Sequence, residues 1–513
     1  MSVISAQYFL SEDIKMSKIK EFLDSKTVKK DVGEETYLTW RETISYALGR
    51  GAQGMFTSMT GSKYLNYFLT NILLSRFKDP MGLASKIRLY CGIFDAINDP
   101  MMGIIVDKTR TKEGQMRPYI RVSPWFIAAV MILFFLGIPS GMPDWMCVTW
   151  TVILFVGLDV TYTAFDIPMG ALAFAITPNG TERTKLYGVS SIVRSVSGVL
   201  PGLFVACAGW LPYFNTHTSK AYLTGGIVSA AGIILFTRIT YKNTTERTVH
   251  HEDAPSVLEC FKLLFTNRPL LMLFIANLFF ILVKVTNQIS FYFVADLMFT
   301  TKYNVFIDVI TFPGFLIAGI GVPKLVEKLG QKSDPRKFYR ICCVCAIVFH
   351  VLFYALCRDG YLNKPDGAMI SLPIGILTVI FTGLTAIPLE CKNLMQKEME
   401  AETVDYVEWK TGTRVEGVML SIMSFTGKIE NSVSSAIGLA ILSYTGYIAH
   451  TEGSLIQNAA TNKALFFMTT LLPAIGYALM LIPMAFYNIS GKSHHIMIEE
   501  LKERHSKQYI DKD

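Results

Sequence analysis

Charged residues are scarce in this sequence. Only 17% of the 513 residues are Asp, Glu, Lys or Arg, whereas 51% are hydrophobic and the mean hydropathy is +0.37. Soluble globular domains are about 25% charged, because they need a polar surface facing water. The composition therefore argues against a soluble multidomain enzyme and favours a membrane protein that crosses the bilayer several times.

The sequence also lacks the motifs of the common enzyme and secreted classes. It contains no HExxH zinc motif and no Gly-rich phosphate loop. Its nine cysteines fall mostly inside apolar runs, without the spacing of a secreted disulfide framework, so we interpret them as packing residues. The first 40 residues or so contain no basic and then apolar stretch that ends in a cleavage site. We expect that the protein is not an enzyme and that its N-terminus stays in the cytoplasm.

Twelve apolar runs approach the ~20 residues that a helix needs to cross about 30 Å of hydrocarbon. They predict an all-α membrane protein with twelve transmembrane helices. The first run is rich in Gly, Ser and Thr, which suits a helix that packs closely among its neighbours. The predicted segments, numbered 1 to 12, cover residues 43–73, 84–107, 121–139, 146–176, 187–210, 221–239, 269–297, 303–325, 338–357, 367–390, 415–446 and 464–488.

The basic residues indicate the orientation of the chain in the membrane. The net charge of +7 comes from Lys and Arg in short loops, as expected of cytoplasmic loops. With a cytoplasmic N-terminus, loops that follow even-numbered segments lie inside, and both termini are cytoplasmic. The loops after segments 2 and 8 fit this arrangement, with Lys108, Arg110, Lys112, Arg117, Arg121, Lys332, Arg336, Lys337 and Arg340.

The segments fall into two groups of six, and the basic loop after segment 2 has a counterpart after segment 8. Such parallel repeats occur in transporters whose substrate site lies between the halves near the bilayer midplane. The predicted regions are a cytoplasmic N-terminal segment, a first half, a central cytoplasmic loop, a second half and a cytoplasmic tail, at residues 1–42, 43–239, 240–268, 269–488 and 489–513.

Several carboxylates lie inside the predicted segments, where a charge costs roughly 2.5–3.5 kcal/mol and usually faces a cavity. In segment 2, Asp95, Asn98 and Asp99 have the i, i+3, i+4 spacing of one helix face. Segment 4 repeats this pattern with Asp159, Tyr162, Thr163 and Asp166. Carboxylate, amide and hydroxyl oxygens are the ligands of small hard cations, so the two faces together predict a cation site.

Ion pairing between helices is the alternative role for these acids. We find no Lys or Arg on the same face of segment 2, which favours a cation site for Asp95 and Asp99, whereas for Asp159 the two roles stay open. Three cations in other segments could supply the counter-charge, namely Arg194, Lys284 and Lys428. We favour a pair between Lys428 and a carboxylate of segment 2 or 4. Lys284 and Asp308 could form a structural pair, and we assign them no role.

Three sequence blocks resemble one transporter family. "FDAINDPMMGIIVDKTRTKEGQMRPYI", "TYTAFDIPMGAL…ER" and "ETVDYVEWKTGTRVEG" are similar to the helix 2, helix 4 and pre-helix 11 motifs of the glycoside–pentoside–hexuronide:cation symporters. This family is the melibiose-permease-like branch of the major facilitator superfamily. The resemblance implies a bundle of twelve helices in two pseudo-symmetric halves.

The resemblance also implies roles for individual residues. Asp95, Asn98, Asp99 and Thr163 match the family's sodium, lithium or proton site, with Na⁺ expected at Asp95 and Asp99. Asp166, Arg194 and Lys428 match residues at or near the sugar, and we add Tyr162 and Asp159 as candidate substrate ligands. We expect the cytoplasmic gate to contain Arg110, Arg117, Glu182, Arg183, Asp405, Lys410 and Arg414.

Two departures alter the expected sugar pocket. The family's sugar-binding acid in helix 1 should fall near Gly54 or Met55, where this chain has no carboxylate. The aromatic residue expected in helix 4 is replaced here by Gly170. The galactoside pocket is therefore not reproduced. Asp159 stands where the family commonly has a small residue, so it could replace the missing acid or perturb the cation site.

The function that these observations predict is cation-coupled symport of a sugar or glycoside across the cell membrane by alternating access. The expected partners are a small-molecule substrate, a monovalent cation (Na⁺, Li⁺ or H⁺) and the bilayer, with no nucleic acid and no other cofactor. We expect a monomer. The alternative is a carrier of a non-sugar substrate, such as an amphipathic lipid or an organic anion, on the same fold.

Overall fold

The structure, a computed structural model, is almost entirely helical in the part of the chain that it describes. That part comprises residues 23–26, 37–139, 141–177, 180–208, 218–247, 265–299, 303–321, 334–365, 367–411, 416–450, 455–489, 493, 496–497 and 499–501. Each predicted segment corresponds to one helical span, and we number the spans α1 to α12.

The spans of the first half are α1 (Trp40–Thr60 and Ser62–Phe68, continued by a π-helical turn Leu69–Leu73), α2 (Pro80–Lys108), α3 (Arg117–Leu136), α4 (Asp144–Ile176), α5 (Gly180–Ala208) and α6 (Thr218–Asn243). Those of the second half are α7 (Arg268–Tyr292 and the π-turn Phe293–Leu297), α8 (Tyr303–Ile310, Phe312–Leu316 and the π-turn Ile317–Gly321), α9 (Pro335–Leu362), α10 (Leu372–Thr411), α11 (Glu416–Tyr444) and α12 (Ala459–Thr469 and Leu471–Phe486).

Local sequence signals fix where the functional helices begin. Thr39 and Glu42 form a capping box at the start of α1, in which each side chain accepts from the backbone N–H of the other residue. Asp79 accepts from the backbone N–H of Gly82 at 2.9 Å, and Pro80 occupies the first position of α2. These caps set the register of the two helices whose polar residues face the interior.

Eight of the described spans are long and apolar enough to cross a membrane by length and composition. The four that fall short are α1, α2, α8 and α11. In α1, α2 and α11 glycine or charged residues interrupt the apolar sequence, and α8 is divided into short helical pieces. Such features are tolerated at membrane depth when they are buried in protein or line a cavity.

The helix packing repeats between the halves. In the first half α1 packs on α5 and α6, and α3 packs on α4 and α6; in the second half α7 packs on α11 and α12, and α9 packs on α10 and α12. Each packed pair of helices in the first half has a counterpart six spans later in the second half. This repetition confirms the predicted bundle of two pseudo-symmetric six-helix halves.

The two halves are joined most extensively by α2 with α11 and by the end of α1 with α7. At this end of the bundle Asn66 Nδ2 donates to Gln288 Oε1 at 3.0 Å, and the hydroxyls of Thr70 and Tyr292 lie 2.6 Å apart. Asn71 Nδ2 donates to the Tyr447 hydroxyl at 3.2 Å. These bonds close the bundle where α1 and α7 end, which we call the closed end.

The structure corrects the length of one segment. The block "ETVDYVEWK" was assigned to a loop before segment 11, but it forms the last turns of α10, which runs for 40 residues to Thr411. At 1.5 Å per residue this helix is about 60 Å long, twice the hydrocarbon thickness, so its polar end projects beyond the membrane. Most of the central loop and of the tail lie outside the described residues.

Glycine allows α1 and α5 to cross closely. A Cβ atom added at Gly54 would lie 2.2 Å from the backbone oxygen of Arg194, and one at Gly198 would lie 3.2 Å from the Gly54 oxygen. Backbone packing of this kind requires small residues at the crossing point. The position where the family has its helix 1 acid is therefore occupied by a helix contact.

We predict that Gly54→Val destabilises the protein, because the added carbons must push two backbones apart. Overpacking of this kind costs about 1–3 kcal/mol. Thermal unfolding in detergent would measure the loss, with Gly188→Val on α5 as the control, because a Cβ at Gly188 meets no atom within 4 Å. Equal unfolding temperatures for the two variants would contradict the prediction.

Candidate functional site

Three charged side chains meet between the halves. Lys428 Nζ on α11 lies 2.8 Å from Asp95 Oδ1 and 2.5 Å from Asp99 Oδ1, both on α2. The three side chains are 20–24% exposed. The pair that we favoured for Lys428 is thus present, and the ammonium group lies between the carboxylates that were predicted to bind a cation.

Two further residues of the predicted cation site lie on α2 and α4. Asn98 lies on α2 between the aspartates, and its Nδ2 is buried with no hydrogen-bond partner among the described residues. Thr163 is 2% exposed on α4, which packs against α2. Both side chains thus retain bonding capacity that protein groups do not use.

Asp166 forms the centre of a second polar cluster. Its Oδ1 accepts from Gln53 Nε2 on α1 at 2.6 Å and from the Tyr162 hydroxyl at 3.0 Å. The Tyr162 ring stacks on Phe56 at 4.0 Å between centroids. Gln53 was not among the predicted residues, because nothing in its sequence context shows that α1 faces α4.

Arginines surround this cluster without pairing to it. Arg194 on α5 and Arg50 on α1 both interact electrostatically with Tyr162. Neither guanidinium forms a hydrogen bond or ion pair with another described residue. Arg194 was predicted and Arg50 was not, and both are available to an incoming ligand.

Arg88 on α2 is close enough to Asp159 for their charges to interact. The statement that segment 2 carries no Lys or Arg on the face of Asp95 was wrong, because Arg88 precedes Asp95 by two helical turns and lies on the same face. Arg88 interacts electrostatically with Asp159 and Asp95, and its Nε donates to Ser435 Oγ at 2.9 Å. No hydrogen bond or ion pair joins Arg88 to Asp159 in the described part of the chain, so the role of Asp159 stays open.

Lys284 pairs with residues of α11. Its Nζ lies 2.7 Å from Glu430 Oε2 and 3.2 Å from Asn431 Oδ1. The side chain of Asp308, the partner considered from the sequence, lies outside the described residues. Glu430 and Lys428 are two positions apart on α11, so Glu430 points back to α7 while Lys428 points to the first half.

The predicted gate residues of the first half make contacts within that half. Buried Glu182 accepts from the backbone N–H of Tyr37 and Leu38 at 2.9 and 3.0 Å, which fixes the chain entering α1. The Arg183 guanidinium lies 5.0 Å from the Phe174 ring centroid. Arg117 Nη2 donates to the Tyr241 carbonyl at 3.0 Å, and Arg110 Nη1 donates to the Thr109 carbonyl at 3.1 Å.

The predicted gate residues of the second half lie at the end of α10. Asp405 is half-buried there, and Lys410 Nζ lies 4.7 Å from the Tyr406 ring centroid. Arg414 is outside the described residues. A gate role for these seven residues stays a prediction.

A cavity of about 420 Å³ lies between the halves, lined largely by hydroxyl, amide and glycine groups. Thr57 and Gly198 of its wall are each four residues beyond Gln53 and Arg194 on the same helices, a rise of about 6 Å. The second half contributes Asn287, Ser290, Thr311 and Thr382, among other residues. This cavity continues the Asp166 cluster towards the closed end.

Gly170 leaves open space where the resembled family has an aromatic ring. A Cβ atom added there meets no atom within 4 Å. Met55, the other candidate position for the missing acid, is 5% exposed and packs against Gly232. The site therefore contains more room beside α4 and no acid at these positions of α1.

We predict that Lys428→Gln destabilises the protein more than Asp95→Asn, because the first change leaves two carboxylates without their cation. A double-mutant cycle between Lys428 and Asp95 should give a coupling energy of about 0.5–3 kcal/mol. Unfolding in detergent measures it. Lys284→Gln with Asp95→Asn is the control and should be additive within about 0.5 kcal/mol, because Lys284 pairs elsewhere. A cycle for Lys428 that is also additive would contradict the assignment.

Comparison with known proteins places the chain in a family. The family model described as MFS/sugar transport protein matches residues 45–491. The isoprimeverose transporter of Lactiplantibacillus pentosus is 27% identical over 482 residues, covering 91% of this chain and 92% of the relative. The glucuronide carrier protein homolog of Escherichia coli (strain K12) is 25% identical over 478 residues, covering 91% and 96%.

A solved structure shares the fold. The D-xylose-proton symporter superposes with a TM-score of 0.56 at 12% identity, covering 88% of this chain and 97% of that one. Helix order, helix packing and the extent of the family match agree with one another. The chain belongs to the MFS/sugar transport protein family and is a multi-pass membrane transporter, not an enzyme.

Proposed function

We propose that this protein carries a sugar or glycoside across the cell membrane together with Na⁺, Li⁺ or H⁺, by alternating access. The observation that carries the proposal is the meeting of Asp95, Asp99 and Lys428 between the halves. The coupling ion is the only inorganic partner that the proposal requires. The transporter acts as a monomer with both termini in the cytoplasm.

The coupling ion competes with the Lys428 ammonium group for the two carboxylates. Two carboxylates a few ångströms apart need positive charge nearby, which either an ammonium group or a bound cation supplies. When Na⁺ or a proton compensates one of the two negative charges of Asp95 and Asp99, the attraction of Lys428 to α2 becomes weaker. Cation binding then loosens the charged link between the halves, which permits the change of access.

The predicted orientation of the chain in the membrane determines which side the closed end faces. With a cytoplasmic N-terminus, α1 and α7 end at the outer surface, so the closed end faces outward. The hydrogen bonds of Asn66, Thr70 and Asn71 then form the outer seal. This arrangement corresponds to an inward-facing state, in which substrate leaves toward the cytoplasm.

The Asp166 cluster is suited to bind sugar hydroxyls. A carboxylate has about four acceptor sites, of which Gln53 and Tyr162 use two on Oδ1. The unpaired guanidinium groups of Arg194 and Arg50 supply donors, and the cavity beside them has room for a small glycoside. Lys428 joins this site when a cation displaces it, and Asp159 remains a candidate substrate ligand.

We predict that uptake of a labelled glycoside into proteoliposomes requires an imposed Na⁺ or H⁺ gradient. Asp95→Asn and Asp99→Asn should each abolish gradient-driven uptake, and should remove the cation-dependent increase in unfolding temperature. Asp166→Asn should abolish sugar binding and keep the cation-dependent increase, because it lies outside the cation ligands.

Asp144→Asn is the matched control for this experiment. It removes one carboxylate that pairs with Arg76 at 2.6 Å on the surface, away from both clusters. Its uptake should equal that of the unmodified protein. Uptake that ignores both gradients, or that survives in Asp95→Asn and Asp99→Asn, would reject coupled transport.

The open space at Gly170 predicts altered substrate choice. We expect Gly170→Trp to leave the unfolding temperature almost unchanged, since no described atom lies within 4 Å of the added Cβ, and to shift the preferred ligand in a panel of glycosides and organic anions. Gly170→Ala is the control and should keep the original preference. A panel in which only organic anions or amphipathic lipids stabilise the protein would favour the non-sugar carrier.

A further inference from the structure

A second cavity, of about 370 Å³, lies away from the transport site, between the first turns of α3 and the last turns of α6. Three basic and two aromatic residues contribute to its wall, namely Arg121, Arg238, Lys242, Trp125 and Tyr241. Arg121, Trp125, Arg238 and Lys242 are exposed. None of the residues proposed to bind the cation or the substrate contributes to its wall.

The acidic groups beside the cavity are already engaged. Glu113 pairs with Arg121 at 2.9 Å, and Glu246 accepts from the backbone N–H groups of Gln115, Met116 and Arg117 at 2.8–2.9 Å. Arg238 and Lys242 form no hydrogen bond or ion pair with any other residue in the described part of the chain. The cavity therefore presents two basic groups that have no ion-pair partner in the described part of the chain.

Large apolar side chains extend from the cavity along the same two helices. Trp125 is 57% exposed, and Phe126 and Leu235 are 58% and 57% exposed. A transmembrane helix presents such residues to lipid chains, and Trp is enriched where chains meet headgroups. The cavity thus has a cationic end and an apolar wall, which matches an anionic amphiphile better than a soluble anion.

The equivalent site in the second half lacks counterparts of Arg238 and Lys242, so the repeated fold does not require these two charges. At the equivalent junction of α9 with α12, Arg336 Nη1 donates to the Tyr487 carbonyl at 3.2 Å, and Arg340 donates to the Met484 carbonyl. Residues 479–488 contain no Lys or Arg. Arg336 and Arg340 of α9 thus donate to carbonyl groups at the end of α12. In the first half, α6 has two additional basic residues, Arg238 and Lys242, that form no such bonds in the described part of the chain.

We propose that the cavity between α3 and α6 binds the phosphate headgroup of an anionic phospholipid. Arg238 and Lys242 contact the phosphate oxygens, Trp125 lies beside the glycerol backbone, and the acyl chains pack along Phe126 and Leu235. Basic cavities between transmembrane helices bind acidic headgroups in this way, and guanidinium groups suit phosphate geometry.

The test compares lipids of one chain length. The full-length protein in neutral detergent receives phosphatidylglycerol, phosphatidylcholine or glycerophosphoglycerol, which has the anionic headgroup without acyl chains. We expect phosphatidylglycerol to raise the unfolding temperature more than the other two. In Arg238→Gln/Lys242→Gln this advantage should fall by more than half. Lys337→Gln/Lys397→Gln, which removes two charges from the second half, should keep it.

A second measurement is independent of the folding of the double variant. Brominated phosphatidylglycerol should quench tryptophan fluorescence more than brominated phosphatidylcholine, and Trp125→Phe should remove most of the difference. An equal phosphatidylglycerol effect in both double variants, or quenching that Trp125→Phe leaves unchanged, would overturn the proposal. Stabilisation by glycerophosphoglycerol that equals that by the lipid would assign the cavity to a soluble anion and overturn it as well.

Discussion

The pairing of Lys428 with Asp95 and Asp99 is the charged contact on which the arrangement of the two halves depends. Unit charges 4 Å apart attract by about 4 kcal/mol at an effective dielectric of 20, against about 1 kcal/mol in water. Apart from the hydrogen bond of Arg88 to Ser435, the other contacts between the halves described above are neutral hydrogen bonds, such as those of Asn66 and Thr70, whose net contributions are about 0.5–1.5 kcal/mol each. A movement that separates α2 from α11 must therefore either break this ion pair or replace its positive charge.

Two other basic residues near this contact have partners of their own. Arg88 Nε donates to Ser435 Oγ, and Lys284 pairs with Glu430 within the second half. This leaves two carboxylates on α2 and one ammonium group on α11 that meet only across the interface. Because Lys428 and Glu430 point in different directions from one helix, a local pairing on α11 cannot satisfy Lys428. The sequence of α11 thus directs one positive charge to the opposite half.

How much of this site could be predicted depended on whether the signal was local. The i, i+3, i+4 spacing of Asp95, Asn98 and Asp99 was enough to predict one polar face, and length and hydropathy were enough to locate twelve spans. Gln53 and Glu430 were missed because their importance comes from partners on other helices, Asp166 and Lys284. Arg88 could have been found, since it lies seven residues before Asp95.

The end of α10 was missed for a different reason. Outside the membrane a helix needs no apolar run, and this one gains support from neighbours along its own surface. Lys392 Nζ donates to Gln396, Gln396 Nε2 donates to Glu400, and Lys397 pairs with Glu400 at 2.8 Å. Such i, i+3 and i, i+4 pairs stabilise a polar helix by a few tenths of a kcal/mol each, without a hydropathy signal.

The α4 helix gives the proposed coupling a physical route. Thr163, a proposed cation ligand, and Asp166, a proposed sugar ligand, are three residues apart and so lie within one turn of the same helix. A cation that contacts Thr163 and the α2 carboxylates fixes the distance between the two helices, and thereby the position of the Asp166 carboxylate. Coupling of binding free energies is reciprocal, so a sugar that holds Asp166 in that position must strengthen cation binding by the same factor. Gln53 on α1 donates a hydrogen bond to Asp166. A fixed position of Asp166 therefore also constrains α1, whose last turns form part of the closed end.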